Sequence, residues 1–254
     1  MCKVYICIPT FNNPDQLSRL LESIYQQNYV DYNVIISDNS DNPLIDQMIS
    51  RRKDNNLIYL RNEKNIGAVP NWNNALKSAT GEYIKIMFSD DWFTGADCLE
   101  TFVQMLEKDN SVNFAFSGSR QVEKNNNYCR CISNRQVQAI KKDYKKILLG
   151  NYIGAPSATI FRNKKNYKFD MNLRWYVDVD FYLQILQYEP HFNYSQEPLV
   201  SIGVSDTQLT NQCANNWELQ VREYGYLLRK YHLQFNFCYL MRELKFIYKK
   251  WKNR

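Results

Sequence analysis

The stretch Gly81-Glu82-Tyr83-Ile84-Lys85-Ile86-Met87-Phe88-Ser89-Asp90-Asp91-Trp92 is a short, mostly apolar run that ends in two adjacent carboxylates. Residues 83–88 have the composition of a strand buried on both faces, as in a parallel sheet covered by helices. Asp90 and Asp91 would follow its carboxyl end, where open α/β sheets bind ligands. Neighbouring carboxylates need a cation to offset their repulsion, and Mg²⁺ and Mn²⁺ prefer oxygen ligands. The stretch therefore predicts a metal site, although an isolated Asp-Asp pair is more often a solvated turn that caps the next helix.

The composition is that of a globular protein. Its 254 residues and 30.3 kDa fit one large α/β domain, or a domain with a small appendage, and 44% apolar residues suffice for a sizeable core. We find neither a signal-peptide pattern in residues 1–10 nor a run long enough to span a bilayer, so the sequence predicts a soluble, cytoplasmic protein. The seven cysteines are odd in number and mostly lie in apolar stretches, which indicates reduced thiols.

Strand and helix patterns alternate from the first residues onward. Strands are predicted at residues 3–9, 33–37 and 57–60. The first helix begins with Asn13 as N-cap and Pro14 at its first position, and a later helix is predicted to end at Gly81. Repeated alternation at this short spacing predicts a parallel sheet with right-handed crossovers.

A second acidic turn, residues 38–43, follows the strand at 33–37. A carboxylate such as Asp38 at a strand end can accept hydrogen bonds from a ribose or a base edge. An ordinary Asx turn that caps the helix at 44–50 fits the segment at least as well. The sequence contains neither G-x-G-x-x-G nor G-x-x-x-x-G-K-[ST], so phosphate neutralisation by a metal is favoured over a glycine-rich phosphate loop.

Taken together, the first hundred residues resemble family 2 of the glycosyltransferases. The motifs that carry the resemblance are Ile8-Pro9-Thr10-Phe11-Asn12, Leu20-Leu21-Glu22-Ser23-Ile24 with Gln27-Asn28-Tyr29, Ile36-Ser37-Asp38-Asn39-Ser40, residues 62–67, Ala79-Thr80-Gly81-Glu82-Tyr83-Ile84 and Ser89-Asp90-Asp91. Each motif is weak singly, but type, order and spacing all match. The resemblance implies a GT-A fold, which is a Rossmann-like, mostly parallel sheet flanked by helices, here with an acceptor-side region and a C-terminal helical tail.

The resemblance also implies roles for individual residues. The expected donor is a nucleotide-diphosphate sugar, with UDP favoured and dTDP possible, and the expected cofactor is Mn²⁺ or Mg²⁺. The residues implied to bind the donor nucleotide are Pro9, Thr10, Phe11, Asn12, Asp38, Asn65, Gly67 and Asp90. Asp91 is the expected metal ligand, and Asp90 would contact the ribose or the waters of the ion. Ser89 departs from the commoner form of the motif, which has another carboxylate, so metal affinity is expected to be modest.

Residues 175–186 resemble the family's Glu-Asp motif, whose aspartate opens a helix and acts as the base, with Val177 in place of the glutamate. Inverting transfer needs a base for the acceptor hydroxyl, opposite a leaving nucleotide diphosphate neutralised by the metal. Asp178 is the preferred catalytic base and Asp180 the second choice. Alternatively, both are first-turn acids that stabilise the dipole of a helix at 181–187, by about 0.3–1 kcal/mol each. A histidine that the family often has is absent, because Ser205 stands near that position.

We predict three regions: a nucleotide-sugar-binding half at 1–117, an acceptor-binding and catalytic-base half at 118–215, and a basic helical tail at 216–254. In the tail, four apolar residues and four cations fall on opposite helical faces. These are Leu240, Leu244, Ile247 and Trp251, and Arg242, Lys245, Lys249 and Lys252. Such a helix can lie on anionic lipid, or pack its apolar side on the catalytic domain, and we weigh the two equally. Nucleic acid is not an expected partner, because the positive charge is concentrated in the tail.

The predicted function is an inverting, metal-assisted glycosyltransferase that builds a bacterial surface polysaccharide, such as capsule or lipopolysaccharide, or a lipid-linked glycan, in the cytoplasm at the inner face of the membrane. The alternative is a non-catalytic member that binds a nucleotide or a glycan, which Ser89 and Val177 make conceivable.

Overall fold

The computed structural model of the chain describes residues 2–123, 126–164, 167–204, 213–214 and 216–252. The strands are β1 Val4–Thr10, β2 Tyr32–Asp38, β3 Leu57–Arg61, β4 Tyr83–Ile86, β5 Trp92–Phe93, β6 Phe114–Val122, β7 Asn127–Arg130, β8 Thr159–Arg162 and β9 Phe192–Gly203. The α-helices are α1 Pro14–Tyr25, α2 Leu44–Ser50, α3 Ala68–Lys77, α4 Cys98–Glu107, α5 Asn134–Lys142, α6 Val177–Tyr188, α7 Trp217–Lys230 and α8 Phe237–Lys252. Short 3₁₀ helices lie at Tyr144–Leu149 and Pro156–Ala158.

The described strands form one mixed sheet in the order β3-β2-β1-β4-β8-β6-β9-β5, with β7 paired to β6. The first four are parallel, as the alternation of strands and helices predicted. Their register places Thr10 opposite Asp38 at the carboxyl edge. β8 runs antiparallel between β4 and β6, which the sequence did not predict. β6 crosses residue 117, so the predicted donor and acceptor halves share one continuous sheet.

The first helix follows its sequence pattern. The Asn13 side chain accepts a hydrogen bond of 3.3 Å from the amide of Gln16, and Pro14 occupies the first helical position. Both are N-terminal signals read from the sequence. The apolar residues at helical spacing are all buried against the sheet, and they are Leu17, Leu20, Leu21 and Ile24.

Two helix boundaries differ from the sequence prediction. Helix α3 ends at Lys77, so Gly81 does not cap it. A Cβ atom at position 81 would instead lie 2.4 Å from a ring carbon of Tyr5, so close packing requires the glycine. The sequence pattern also predicts a helix at 141–149, but the helix there, α5, begins earlier, because Ser133 and Gln136 form a capping box, and it is followed by 3₁₀ geometry.

Helix α8 exposes its apolar face to solvent, although amphipathic packing would bury that face against the protein. Tyr239 and Phe246 are buried against the body of the protein, whereas Leu244, Ile247 and Trp251 are exposed. Two of the predicted surface cations face inward. Arg242 donates to the backbone oxygen of Leu149, and the Lys249 ammonium lies 4.6 Å from the ring centre of Trp217. The side chain of Lys252 lies outside the described residues. Among the described helices, none combines the length and the apolar character needed to cross a bilayer.

Candidate functional site

Polar residues gather where β1, β2 and β4 end, at one edge of the sheet. Thr10 and Asp38 close β1 and β2 side by side, and Asp90 and Asp91 follow β4. The amide of Asn39 donates to the oxygen of Thr10 at 3.1 Å, which joins the two strand ends. The polar strand ends predicted from the sequence therefore lie at the same edge of the sheet.

Asp91 is buried beside the end of β9. Its Oδ1 accepts a hydrogen bond of 3.2 Å from the amide of Gly203. Within the described part of the chain, its Oδ2 makes no hydrogen bond. Burial, and then the neighbouring charge of Asp90, raise the pKa of Asp91 well above its ordinary value, although Ser157, Gly203 and Lys85 act in the opposite direction. The ionised carboxylate thus lacks sufficient compensation from the protein.

Lys85 is a buried cation on β4 beneath this acid. Its ammonium group donates to the backbone oxygens of Ser157 and Ile86, the latter at 3.2 Å. It also lies 4.5 Å from the ring centre of Phe102. Burial lowers the pKa of Lys85 to about 7, against an opposing effect of Asp91. Sequence reasoning missed this residue, although a lysine inside the apolar run of a buried strand was a visible signal.

Asp90 is held through its backbone by residues far away in the sequence. A guanidinium nitrogen of Arg19 donates a hydrogen bond of 2.8 Å to its backbone oxygen. The same guanidinium lies 3.7 Å from the ring centre of Trp92. A Cβ atom at Gly203 would lie 2.5 Å from that backbone oxygen, so the end of β9 tolerates only glycine there. The roles of Arg19 and Gly203 were not predicted from the sequence.

The acids present fit a hard divalent ion that relies on its substrate for most ligands. No group of three or more His, Cys, Asp or Glu side chains that could hold a metal is found in residues 2–123, 126–164, 167–204, 213–214 and 216–252. The chain nevertheless offers an unpaired buried carboxylate oxygen on Asp91, with Asp90 beside it. Mg²⁺-type ions are commonly held by one or two carboxylates together with substrate phosphates.

Asp38 is fully buried, and both of its oxygens are engaged. Oδ1 accepts a hydrogen bond of 2.9 Å from the amide of Ser40 and a second bond from its hydroxyl. Oδ2 accepts from the hydroxyl of Tyr59 at 2.7 Å. The bond to the amide of Ser40 is an Asx turn, as the alternative predicted, but Asp38 does not cap α2, whose N-cap residue is Pro43. Because Asp38 is fully buried, a donor base could reach it only after a neighbouring group moved.

A network of asparagines joins the loop after β3 to the end of β2. Asn39 Nδ2 donates to Oδ1 of Asn65 at 2.8 Å, and Asn65 Oδ1 also accepts from the amide of Gly67. Asn62 donates to Asn39 at 3.2 Å and to Asn71 at 2.9 Å. Asn65 and Gly67, which are predicted to bind the donor, therefore shape the loop at this edge of the sheet.

The segment after β1 lies beside the same turn. The amide of Asn12 donates to the hydroxyl of Ser40 at 2.8 Å, and Asn12 has a left-handed backbone with φ of 54°. Phe11 is exposed, and the buried hydroxyl of Thr10 makes no hydrogen bond within the described residues. Asn12 thus contacts the Asp38 turn, and Thr10 lies opposite Asp38 in the sheet. Pro9 is buried within β1.

Asp178 lies in the first turn of α6, where a short loop holds its carboxylate. Oδ2 accepts a hydrogen bond of 2.6 Å from Nδ2 of Asn151, and Oδ1 accepts from the amide of Val179 at 2.8 Å. Burial raises the pKa of Asp178 to about 6, although Val179, Arg130 and Asn151 each lower it. A carboxylate whose pKa is raised toward neutrality has the property expected of a general base.

Asp180 lies two residues further along α6, in a different environment. It is fully buried, with the ammonium of Lys230 at 2.9 Å and the hydroxyl of Tyr231 at 2.8 Å. Gln184 donates to its Oδ2 at 2.8 Å. Since these partners come from α6 and the end of α7, Asp180 ties the two helices together. The two acids therefore have different environments, and the sequence alone could not show this difference.

Helix α7 supports α6 through a second carboxylate. The buried side chain of Glu223 accepts hydrogen bonds from the amides of Arg174 and Trp175, both at 2.9 Å, and of Tyr176 at 3.1 Å. These amides precede the first turn of α6, where a negative charge is stabilised by the helix dipole. Sequence reasoning did not find Glu223, because its partners lie 47 or more residues away.

The segment from Asn151 to Ser157 connects the two acidic sites. Asn151 contacts Asp178, and the hydroxyl of Ser157 accepts from the amide of Phe88, just before Asp90. The two ends of this segment thus meet the proposed base and the polar sheet edge. Ser205, where the family often has a histidine, lies outside the described residues.

Sequence comparison finds named relatives along most of the chain. An uncharacterized glycosyltransferase of Methanocaldococcus jannaschii is 26% identical over 207 residues, which cover 79% of this chain and 70% of the relative. The UDP-Glc:alpha-D-GlcNAc-diphosphoundecaprenol beta-1,3-glucosyltransferase WfgD of Escherichia coli is 28% identical over 164 residues, with 64% of this chain and 62% of the relative covered. The chain thus matches between about three fifths and seven tenths of the length of these relatives.

Solved structures share the fold. S. aureus TarS in complex with UDP-GlcNAc superposes with a TM-score of 0.68 at 16% identity, covering 89% of this chain and 66% of that one. The mannosyltransferase PcManGT from Pyrobaculum calidifontis, in complex with GDP-Man and Mn²⁺, gives 0.66 at 17% identity, covering 89% and 64%. Both likenesses agree with a GT-A architecture. The sequence model of glycosyl transferase family 2 matches residues 5–169, and the chain therefore belongs to this family of enzymes.

Proposed function

We propose that this chain transfers a sugar, with inversion, from a UDP-sugar to a hydroxyl group of a lipid-linked glycan, in the assembly of a bacterial surface polysaccharide such as capsule or lipopolysaccharide. The observation that carries the proposal is the carboxylate of Asp178, which is fixed by Asn151 and has a pKa raised to about 6. We assign residues 1–117 to donor binding and 118–215 to the acceptor and the base, with dTDP as a second donor nucleotide.

Single displacement follows from these residues. Asp178 takes the proton of the acceptor hydroxyl as its oxygen forms a bond to the anomeric carbon. The bond from that carbon to the nucleotide diphosphate breaks, and its electron pair leaves with the diphosphate. Asp91, with Asp90, would hold Mn²⁺ or Mg²⁺, whose chemistry is to neutralise the charge that grows on the leaving diphosphate.

The lipid-linked acceptor is supported by the relatives. WfgD is named for transfer to a sugar on diphosphoundecaprenol, and a Campylobacter jejuni relative is named for transfer to a glycan on the same lipid. An enzyme with such an acceptor would work at the inner face of the cell membrane. We propose that the C-terminal tail, residues 216–254, brings the enzyme to that surface.

The second candidate is a non-catalytic member that binds a nucleotide or a glycan. The lack of acids at positions 89 and 177 favours it, as does the complete burial of Asp38. The two candidates differ in whether bound donor is turned over.

Titration calorimetry with UDP and dTDP, each with and without Mn²⁺, followed by transfer assays with a panel of UDP-sugars and an undecaprenyl diphosphate-linked sugar, tests the proposal. We expect Mn²⁺-dependent UDP binding and release of UDP that requires the acceptor. Nucleotide binding without turnover of any donor would favour the non-catalytic candidate. If neither UDP nor dTDP binds, both proposed donor nucleotides are contradicted.

A further inference from the structure

We infer that helix α8 inserts a defined apolar face into the surface of a bilayer that contains anionic phospholipid. The inference rests on the proposed function in one respect, because a lipid-linked acceptor would bring the enzyme to a membrane. The observations that carry it are the side chains that α8 leaves exposed.

The apolar face of α8 consists of Phe237, Met241, Leu244, Tyr248 and Trp251. At about 100° per residue, these five side chains lie within about 40° of one line along the helix. Their exposed fractions run from 50% for Met241 to 75% for Phe237. Ile247 widens the face at one side, and Phe235, two residues before the start of the helix, is 91% exposed. A contiguous exposed apolar surface of this kind marks an interaction site.

The opposite side of α8 is already occupied by the protein. Tyr239 and Phe246 are buried, and Phe246 packs edge-on against Tyr224 of α7 with ring centres 5.4 Å apart. Arg242 and Lys249 add polar and cation–π contacts to this side. Contacts on this opposite side therefore fix the orientation of α8. Rotation of the helix to bury the apolar face would break them.

Charge and residue type favour lipid over protein as the occupant. Residues 237–252 contain five basic residues and one acid, Glu243. Glu243 is directed toward α7, because one of its oxygens lies 3.1 Å from the position of a Cβ atom on Gly225. Tyr248 and Trp251 are amphipathic aromatics of the kind enriched at membrane interfaces, and basic residues near the surface are attracted to anionic lipid.

A second copy of the chain is the competing occupant. The spacing of the apolar face, four and three residues in turn, is also that of a two-helix seam. Seams of that kind carry complementary charges along their edges, whereas among the described side chains the exposed cation beside this face is Lys245, and Glu243, the one acid in the sequence of α8, faces α7. The aromatic content and the lack of a flanking acid therefore favour the bilayer.

Vesicle sedimentation of the intact protein tests the inference. The probes are vesicles of phosphatidylcholine alone and of phosphatidylcholine with phosphatidylglycerol. We expect the wild type to sediment with the anionic vesicles, and the double variant Leu244→Gln/Tyr248→Gln to partition at least about tenfold less, since each side chain loses its apolar burial. Val30→Gln, at an exposed apolar residue outside α8, is the matched control and should bind like the wild type.

Three further measurements make the test specific. Circular dichroism should show that the variants melt like the wild type. Lipids brominated on their acyl chains should quench tryptophan fluorescence in the wild type more than in Trp251→Phe. Binding should weaken in high salt and still persist, because salt screens charge and leaves apolar insertion intact.

Equal vesicle binding by the double variant and the wild type would overturn the inference, as would a wild type that stays in the supernatant. Dimers in the ultracentrifuge that the double variant abolishes, without vesicle binding, would assign the face to a second copy. A water-soluble acceptor separates this inference from the proposed function, because the double variant should transfer sugar to it at the wild-type rate even if vesicle binding is lost.

Discussion

Nδ2 of Asn151 donates a hydrogen bond of 2.6 Å to Oδ2 of Asp178, and this contact fixes the proposed base against the loop that follows the 3₁₀ helix at Tyr144–Leu149. The same Asn151 side chain bonds the backbone of Gly154, with its Oδ1 accepting from the amide at 2.9 Å. The loop is thus held in one conformation by the residue that orients the carboxylate. Base and loop form a single unit.

Replacement of the base tests the mechanism directly. In Asp178→Asn the side-chain shape is kept while the proton acceptor is lost. We expect transfer to fall by about 10²–10⁴-fold at saturating donor and acceptor, with UDP and Mn²⁺ affinity unchanged by titration calorimetry. Asp109→Asn, at an exposed turn, is the matched control. A rate within a few fold of wild type would remove Asp178 from the catalytic role.

The raised pKa of Asp178 predicts a pH-dependent stability difference. Because the folded pKa is about 6 and that of an unfolded aspartate about 3.9, the native state binds the extra proton between these values, and its stability falls as the pH rises through that window. Asp178→Asn lacks this loss. Its free energy of unfolding should match wild type below about pH 4 and exceed it by up to about 3 kcal/mol above pH 6. Urea unfolding at pH 4 and 7 measures the difference, and an equal difference at both pH values would contradict it.

Asp180 should behave as a structural acid. Asp180→Asn leaves Lys230 without one of its two carboxylate partners, the other being Asp170 at 2.8 Å. We expect a loss of about 3 kcal/mol in the free energy of unfolding, toward the lower end for a broken buried pair. Transfer per folded molecule should stay within a few fold of wild type, by activity measured alongside the fraction folded. A large loss of rate in a stable Asp180→Asn protein would move the base to this residue.

The metal proposal is tested at Asp91. Asp91→Asn removes the charge of a buried carboxylate whose Oδ2 makes no hydrogen bond in the described residues. The dependence of UDP affinity on Mn²⁺ should disappear, because the remaining acid cannot alone hold an ion that bridges two phosphates. Asp90→Asn should keep part of that dependence. Calorimetric titrations with and without Mn²⁺ that leave the metal effect intact in Asp91→Asn would exclude this residue as the ligand.

The two interpretations of Asp38 are distinguished by a pair of variants. Tyr59→Phe frees Oδ2 of Asp38, whereas Asp38→Ala removes the whole carboxylate. If Asp38 binds the base of the donor, Tyr59→Phe should retain UDP affinity and Asp38→Ala should weaken it by about tenfold or more, as one charge-assisted hydrogen bond predicts. Normal UDP affinity in Asp38→Ala would leave the residue with its turn alone. Thermal melting of both variants controls for the lost Ser40 contacts.

Local patterns in the sequence were sufficient for the donor half of the fold. The N-cap of α1, the apolar spacing of Leu17 and Ile24, and the Asx turn of Asp38 all involve partners within a few residues, so the sequence alone specifies them. The parallel order of the first strands follows from strand-helix alternation. The antiparallel direction of β8 could not be predicted, because strand-helix alternation with crossovers implies only parallel neighbours.

The sequence by itself determined the family, the parallel half of the sheet and the acids at its edge, since those depend on short-range periodicity and on motifs that stay together along the chain. Only the tertiary structure decided the environment of each candidate base. Asp178 and Asp180 are two residues apart and nearly equivalent in sequence, yet one meets Asn151 and the other meets Lys230. The tertiary structure likewise decided that α8 exposes its apolar face to solvent, because Arg242 and Lys249 on the opposite side contact Leu149 and Trp217. Environment, rather than residue type, sets a pKa and an exposed face, and environment is assembled from distant parts of the chain.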